Sequence, residues 1–153
     1  MKTLLLCADD LGQNPAIDEA CLHLFELGRL SAASVLSEAP HAATHQQALR
    51  QANDKGLQLG LHFNLTLPFQ HLQPKKNLAT WIIQSQLQLV DTVFIKKSLL
   101  YQLQLFEDLF LRPPNFVDGH QHVHQFKQIR DVLIQTLCER YPSHQWPWLR
   151  STA

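Results

Sequence analysis

The sequence predicts an α/β fold built on a parallel sheet of about five strands. Three observations carry that prediction. Short apolar runs of strand length alternate with longer stretches of helical periodicity, the pattern of βαβ units joined by right-handed crossovers. The first run, residues 3–8, is apolar without interruption, as in a strand covered on both faces. Carboxylates or histidines stand at the C-terminal ends of the first, third and fourth runs, where such sheets keep their active sites.

The first run ends in Asp9-Asp10-Leu11-Gly12. Asn14-Pro15 then supplies the N-cap and first residue of a helix, which leaves the two aspartates without a capping duty and gives a chemical role more weight. That helix runs over about residues 15–27, with Ile17, Ala20, Cys21, Leu24 and Phe25 on one stripe and Gly28 as its stop. Residues 31–36 form a second strand. Residues 40–51 form a second helix, whose His41 and His45 sit among solvent-like neighbours and read as surface residues. Residues 57–65 form the third strand. Alternation sets Leu57, Leu59, Leu61 and Phe63 on one face and Gln58, Gly60, His62 and Asn64 on the other. His62 thus stands at the sheet end that carries Asp9 and Asp10. Residues 68–76 are a polar loop suited to a substrate rim. Residues 77–111 are helical, broken near residues 90–92, with Leu99, Leu103, Phe106 and Phe110 on one stripe, and Pro113-Pro114 ends them. A fourth strand opens at Phe116. Residues 126–140 are a helix with Ile129, Val132, Leu133 and Leu137 inward, and residues 145–150 a fifth short strand with no helix after it.

At 153 residues, 45% apolar and 17% charged, the chain is the size of one domain with an ordinary core. Its formal net charge of zero offers nothing to draw it to nucleic acid or to an anionic membrane. The opening apolar run is too short for a signal peptide, and no stretch approaches a membrane span. Cys7, Cys21 and Cys138 lack any paired spacing, which fits reduced thiols in the cytoplasm. Self-association into a homo-oligomer is left open.

The richest stretch is Phe116-Val117-Asp118-Gly119-His120-Gln121-His122-Val123-His124. If the strand persists, Asp118, His120, His122 and His124 all point one way; if it yields to a turn after Gly119, His120 and His124 separate. Neutral imidazole is a common metal ligand, and a nearby carboxylate can fix its tautomer. Asp9, Asp10, His62 and this stretch come from three strands at one sheet end. A carboxylate with two imidazoles makes a facial set for a divalent ion. Such an ion lowers the pKa of a water and polarises a carbonyl, and a second carboxylate off the ion can serve as general base. That division of labour points to hydrolysis of an amide or ester.

Ala8-Asp9-Asp10-Leu11-Gly12 with Asn14 resembles the opening motif of the YdjC-like carbohydrate deacetylases, which include chitooligosaccharide deacetylases and deacetylases associated with hopanoid biosynthesis. Leu30-Ser31-Ala32-Ala33-Ser34 resembles the family's second strand, Gly60-Leu61-His62-Phe63-Asn64-Leu65-Thr66 its third-strand motif, and the stretch from Val117 to His124 its fourth. The resemblance implies a distorted (β/α) barrel, incomplete here, and removal of the acetyl group from an N-acetylated sugar or oligosaccharide. By matching position it implies Asp10, His62 and His120 as metal ligands, Asp9 as general base and Arg150 as the residue that orients Asp9. Asn14, Asn64, Asp118, His122 and His124 fall behind the ligands or beside the substrate. The family is usually described with Mg2+, and two imidazoles with a carboxylate suit Zn2+ at least as well.

Two departures stand out. Leu11 replaces the usual aromatic, and family members continue for a substantial further stretch that carries a histidine proposed as general acid. The chain is therefore expected to be a single domain, residues 1–153, that lacks the family's C-terminal part. Two alternatives stand beside the deacetylase: a metal-binding remnant or fragment with impaired catalysis, and a metallo-phosphoesterase on a similar barrel.

Overall fold

The computed structural model describes residues 4–69 and 76–151. Five strands pair side by side in chain order: β1 (Cys7–Leu11), β2 (Ala32–Val35), β3 (Gln58–Phe63), β4 (Phe116–Gly119) and β5 (Trp148–Leu149). Every pairing is parallel. Each crossover advances one place in the same direction, which rolls a parallel sheet toward a (β/α) barrel. The sheet remains open, with β1 and β5 at its edges. The expected incomplete α/β barrel is thus the architecture observed.

Register assigns the two faces. Ser34 pairs with Gly60, Gly60 with Phe116, His62 with Asp118, and Phe116 with Trp148, so these side chains share one face. Ala33, Val35, Leu59, Leu61, Phe63 and Val117 form the other face and meet the helices in the main core. The alternation read along β3 holds, for Leu57, Leu59, Leu61 and Phe63 are all buried on the helix side.

On the opposite face, below His62, the packing leaves no room. A Cβ on Gly60 would lie 2.4 Å from the ring of Phe116. That ring cannot retreat, because it stacks on Trp148 at 4.5 Å between centroids. Trp148 in turn donates Nε1–H to Gln58 Oε1 at 3.0 Å. Gly60→Ala is therefore expected to cost about 1–3 kcal/mol as an overpacking change. It should lower the thermal midpoint by several degrees at roughly 2–4 °C per kcal/mol. Phe116→Leu in the same chain should recover part of the loss. An unchanged midpoint in Gly60→Ala would contradict this packing.

The helices are α1 (Pro15–Glu26), α2 (Gln46–Asp54), α3 (Leu78–Gln86), α4 (Thr92–Phe110) and α5 (Lys127–Arg140). Asn14 caps α1 by accepting from Ala16 N–H at 3.0 Å, with Pro15 as the first helical residue. Asp91 caps α4 in the same way through Phe94 N–H at 3.0 Å. The break expected near residues 90–92 falls between α3 and α4, and Leu99, Leu103, Phe106 and Phe110 are buried as a stripe.

Three local expectations are corrected. The first strand begins at Cys7 rather than at residue 3, and Leu4, Leu5 and Leu6 are exposed instead of covered on both faces. The physical reason is position: β1 is an edge, and no described element packs over those leucines. In α1 the inward face is rotated. Asp18 is buried while Ile17 and Leu24 face outward, because both Asp18 oxygens accept the Gly12 N–H, at 3.0 and 3.1 Å. The second helix starts at Gln46 rather than residue 40. The segment before it spends its backbone groups elsewhere, His41 N–H on Gly12 O at 3.0 Å and Thr44 N–H on His41 O at 2.9 Å. The loop expected over residues 68–76 lies largely outside the described residues.

Candidate metal centre

The end of β1 does not continue as a regular strand. Register slips between Ala8 and Leu11, and Asp10 adopts φ 64°. Consecutive strand residues ordinarily point to opposite faces. A bulge with one left-handed residue re-aims a side chain, and here both aspartates reach groups on the His62 face. Gly12 follows at φ +95°, where a Cβ would meet Ala42 Cα at 3.1 Å and Leu36 O at 3.2 Å, so the turn accepts only glycine. The Asp18 carboxylate on the Gly12 N–H then locks the turn.

Asp10 Oδ1 lies 3.2 Å from His62 Nε2 and 2.8 Å from His120 Nδ1. One potential ligand atom from each of the three residues falls within 4.8 Å of the others. Three strands, or the turn directly after one, thus deliver one carboxylate and two imidazoles to a single point. Behind His62, its Nδ1 meets Asp118 Oδ1 at 2.7 Å. The Ser34 hydroxyl donates to that same oxygen and lies 2.9 Å from Nδ1. A proton held on Nδ1 by the carboxylate leaves the Nε2 lone pair facing the shared point, which is what a ligating histidine requires.

Asp9 faces a different partner. Arg150 grips it bidentately, Nη1 to Oδ1 and Nη2 to Oδ2, both at 2.6 Å. Arg150 Nε also lies 3.2 Å from Asp118 Oδ2. Cys7, Asp9 and Asp118 form a second close group. A cation is already present there in the guanidinium, and burial, the largest influence, pushes the Cys7 thiol up to about 12. The Asp10–His62–His120 group is therefore the better fit for a metal ion, and two imidazoles with one oxygen suit a zinc-like ion as well as a magnesium-like one.

The histidine-rich stretch resolves into the turn alternative. β4 ends at Gly119, and residues His120–Gln125 form a 3-10 segment with Gln121 and His122 in left-handed conformations. His120 is thereby sent to Asp10. His124 is buried, and its Nε2 lies 2.8 Å from Arg150 O, bracing the residue that holds Asp9. His122 is exposed. Asn14 spends its side chain on the α1 cap. Asn64 is buried, with Oδ1 accepting from Thr66 N–H at 3.0 Å and Leu67 N–H at 2.9 Å, so its side chain shapes the exit of β3.

A family model described as YdjC-like protein matches residues 3–153. The chain belongs to the YdjC-like family. It is 36% identical over 145 residues to a chitooligosaccharide deacetylase of Enterobacter sp. strain 638, a match over 88% of this chain and 55% of that relative. It is 28% identical over 149 residues to a carbohydrate deacetylase of Xenopus laevis, covering 89% of this chain and 47% of that one. The chain thus spans about half the length of the curated relatives it matches. A crystal structure from Enterococcus faecalis, of a protein provisionally named for cellobiose-phosphate cleavage, superposes with TM-score 0.75 at 19% identity, over 99% of this chain and 59% of that one. That likeness supports the fold.

Electrostatics in this YdjC-like centre follow from the contacts. The hydrogen bond from His62 is the largest influence on Asp10; with the other His62 and His120 contacts it outweighs burial and lowers the carboxyl to about 2. Burial works against a charge on His62, yet the hydrogen bonds and charges of Asp10 and Asp118 together raise it to about 9. Burial raises Asp9, and the Arg150 bonds and charge overcome it and hold the carboxyl below its ordinary value. Without a metal ion, His62 and Asp10 therefore behave as an ion pair, and its stability has a definite pH window. The raised His62 contributes fully below its ordinary value of 6.5 and loses the contribution as pH rises toward about 9. The lowered Asp10 contributes above its ordinary 3.8 and loses it as pH falls toward about 2. In chelator, the wild-type thermal midpoint should fall between pH 6.5 and 9 more steeply than that of His62→Gln; parallel alkaline limbs would remove the ion pair from the account.

Three residues escaped the sequence reasoning: Ser34, Asp18 and Gln102. Gln102 is buried and holds the Asn64 backbone from both sides, accepting its N–H and donating to its C=O at 2.8 Å each. Each is a polar residue set in an otherwise apolar periodic run, which is the one signal that could have marked them.

Proposed function

We propose that this YdjC-like chain carries the cation-binding and base-bearing part of a metal-dependent carbohydrate deacetylase. The convergence of Asp10, His62 and His120, with a separate carboxylate held off by Arg150, is the observation that supports it most. In this reading Asp10, His62 and His120 hold a divalent cation, Mg2+ or Zn2+. Such an ion, when bound, polarises the acetyl carbonyl and makes water more acidic. Asp9 is the general base. Arg150 keeps it ionised and fixes its plane, so it enters the reaction as a proton acceptor at Oδ1 or Oδ2. Asp118 and Ser34 orient His62 from behind, and His124 steadies Arg150 through its backbone carbonyl.

The substrate class is an N-acetylated sugar or oligosaccharide, by the names of the relatives. Free Cys7, Cys21 and Cys138 support a cytoplasmic, reducing setting. Among the described residues no helix is long and apolar enough to cross a membrane.

Incubation with N-acetylated chito-oligosaccharides in the presence of Mg2+ or Zn2+ tests the reading. Acetate release is expected to require the ion and to stop with chelator. Tight cation binding without acetate from any N-acetylated sugar would favour the remnant reading instead. Phosphoester cleavage has less support, since Arg150 already spends two donors on Asp9.

A further inference from the structure

We infer that Ser34 is a positioning residue of this centre: its hydroxyl fixes the Asp118 carboxylate and, through it, the His62 tautomer that presents Nε2 to the cation. This inference rests on the cation site proposed above.

Ser34 is fully buried in β2. Its register partner in β3 is Gly60, which has no side chain, so no Cβ on that neighbour stands between Ser34 and the next strands. The hydroxyl therefore reaches across β3 to β4. Ser34 Oγ, His62 Nδ1 and Asp118 Oδ1 form a closed triangle. Ser34 donates to Oδ1, Oδ1 lies 2.7 Å from Nδ1, and Oγ lies 2.9 Å from Nδ1.

The other carboxylate oxygen is held less well. Arg150 Nε lies 3.2 Å from Asp118 Oδ2, but without the alignment of a hydrogen bond, and Oδ2 has no other partner among the described residues. The orientation of the carboxylate thus depends on the two donors at Oδ1. A buried carboxylate that loses one of two donors turns toward whatever charge remains, and here that is the guanidinium. Such a turn would leave Nδ1 to share its proton with no fixed acceptor. His62 could then carry the proton on Nε2, the atom the cation needs. Filling space alone would make Ser34 replaceable by alanine without consequence for the cation.

The test uses the full chain and Zn2+ as the probe, by competition against a chromophoric chelator. His62→Ala is expected to abolish binding. Ser34→Ala should weaken it about 10–100-fold, the usual cost of losing a group that orients a ligand. Ser34→Thr, which keeps the hydroxyl on a strand-compatible side chain, should bind nearly as the wild type. In parallel, nitrogen NMR of labelled histidines in the ion-free protein at a pH above about 9, where the His62 ring is neutral, should show it protonated at Nδ1 in the wild type and Ser34→Thr, with that signature lost in Ser34→Ala. Wild-type affinity in His62→Ala would overturn the cation site itself. Loss in His62→Ala with unchanged affinity and tautomer in Ser34→Ala would overturn this inference alone. Equal weakening in Ser34→Thr and Ser34→Ala would assign the effect to packing, and overturns it as well.

Discussion

Asp10→Ala and His62→Ala are each expected to strip the chain of its divalent cation, whereas Asp9→Asn should keep the cation and lose turnover. The division follows from what each side chain faces. Asp10 Oδ1 and His62 Nε2 look at each other across 3.2 Å and share the point with His120. Removing either leaves two donors, too few for a facial set, and should cost more than the roughly 10–100-fold that loss of an outer partner costs. Asp9 points instead at Arg150, with both oxygens bound to it. Asn at this position keeps the shape and one acceptor but cannot take a proton, so the loss falls on rate, by about 10²–10⁴-fold for a general base. Elemental analysis of purified variants, paired with acetate release, separates the two outcomes. An unaltered metal load in Asp10→Ala refutes the ligand assignment; full turnover in Asp9→Asn refutes the base.

Trp81→Ala should be among the most damaging changes to stability, at about 3–5 kcal/mol. Trp81 is fully buried in α3 and stacks on Phe94 at 6.1 Å between centroids. Its Nε1–H donates to Leu65 O at 3.1 Å, just past Asn64. The ring therefore ties α3 and α4 to the segment leaving β3, the strand that carries His62. Truncation opens a cavity and strands a carbonyl, while Trp81→Phe removes chiefly the hydrogen bond and should cost about 1 kcal/mol. At roughly 2–4 °C per kcal/mol, the alanine variant should melt on the order of 10 °C below the wild type. A midpoint within a degree or two of wild type would show that the indole is not the tie described.

Most of the architecture was legible along the chain, because strand and helix signals are local. Leu57 to Phe63 alternate within one strand, the α4 stripe repeats within one helix, and Asn14-Pro15 announces a helix start to its immediate neighbours. Local signals also marked the sheet end where Asp10, His62 and His120 gather, since each stands at or just past a strand's C-terminal end. Where local pattern failed, a distant group had intervened. Ile17 read as core, yet α1 turned so that Asp18 could take the Gly12 N–H.

By itself, then, the amino-acid order determined the alternation of strands and helices, the family, and the residues able to bind a cation. The tertiary structure alone decided the geometry in which their side chains meet. The slip in β1 with Asp10 at φ 64° turned two adjacent aspartates toward different partners. The left-handed pair Gln121 and His122 sent His120 to Asp10 and left His122 in solvent. Arg150 found Asp9 from 141 residues away, and Ser34 found Asp118 from 84. Hydrophobic periodicity repeats every two or 3.6 residues and can be seen in a short window. A hydrogen bond between side chains on separate strands depends on the parallel register that three or four crossovers set together, and no window of sequence contains that.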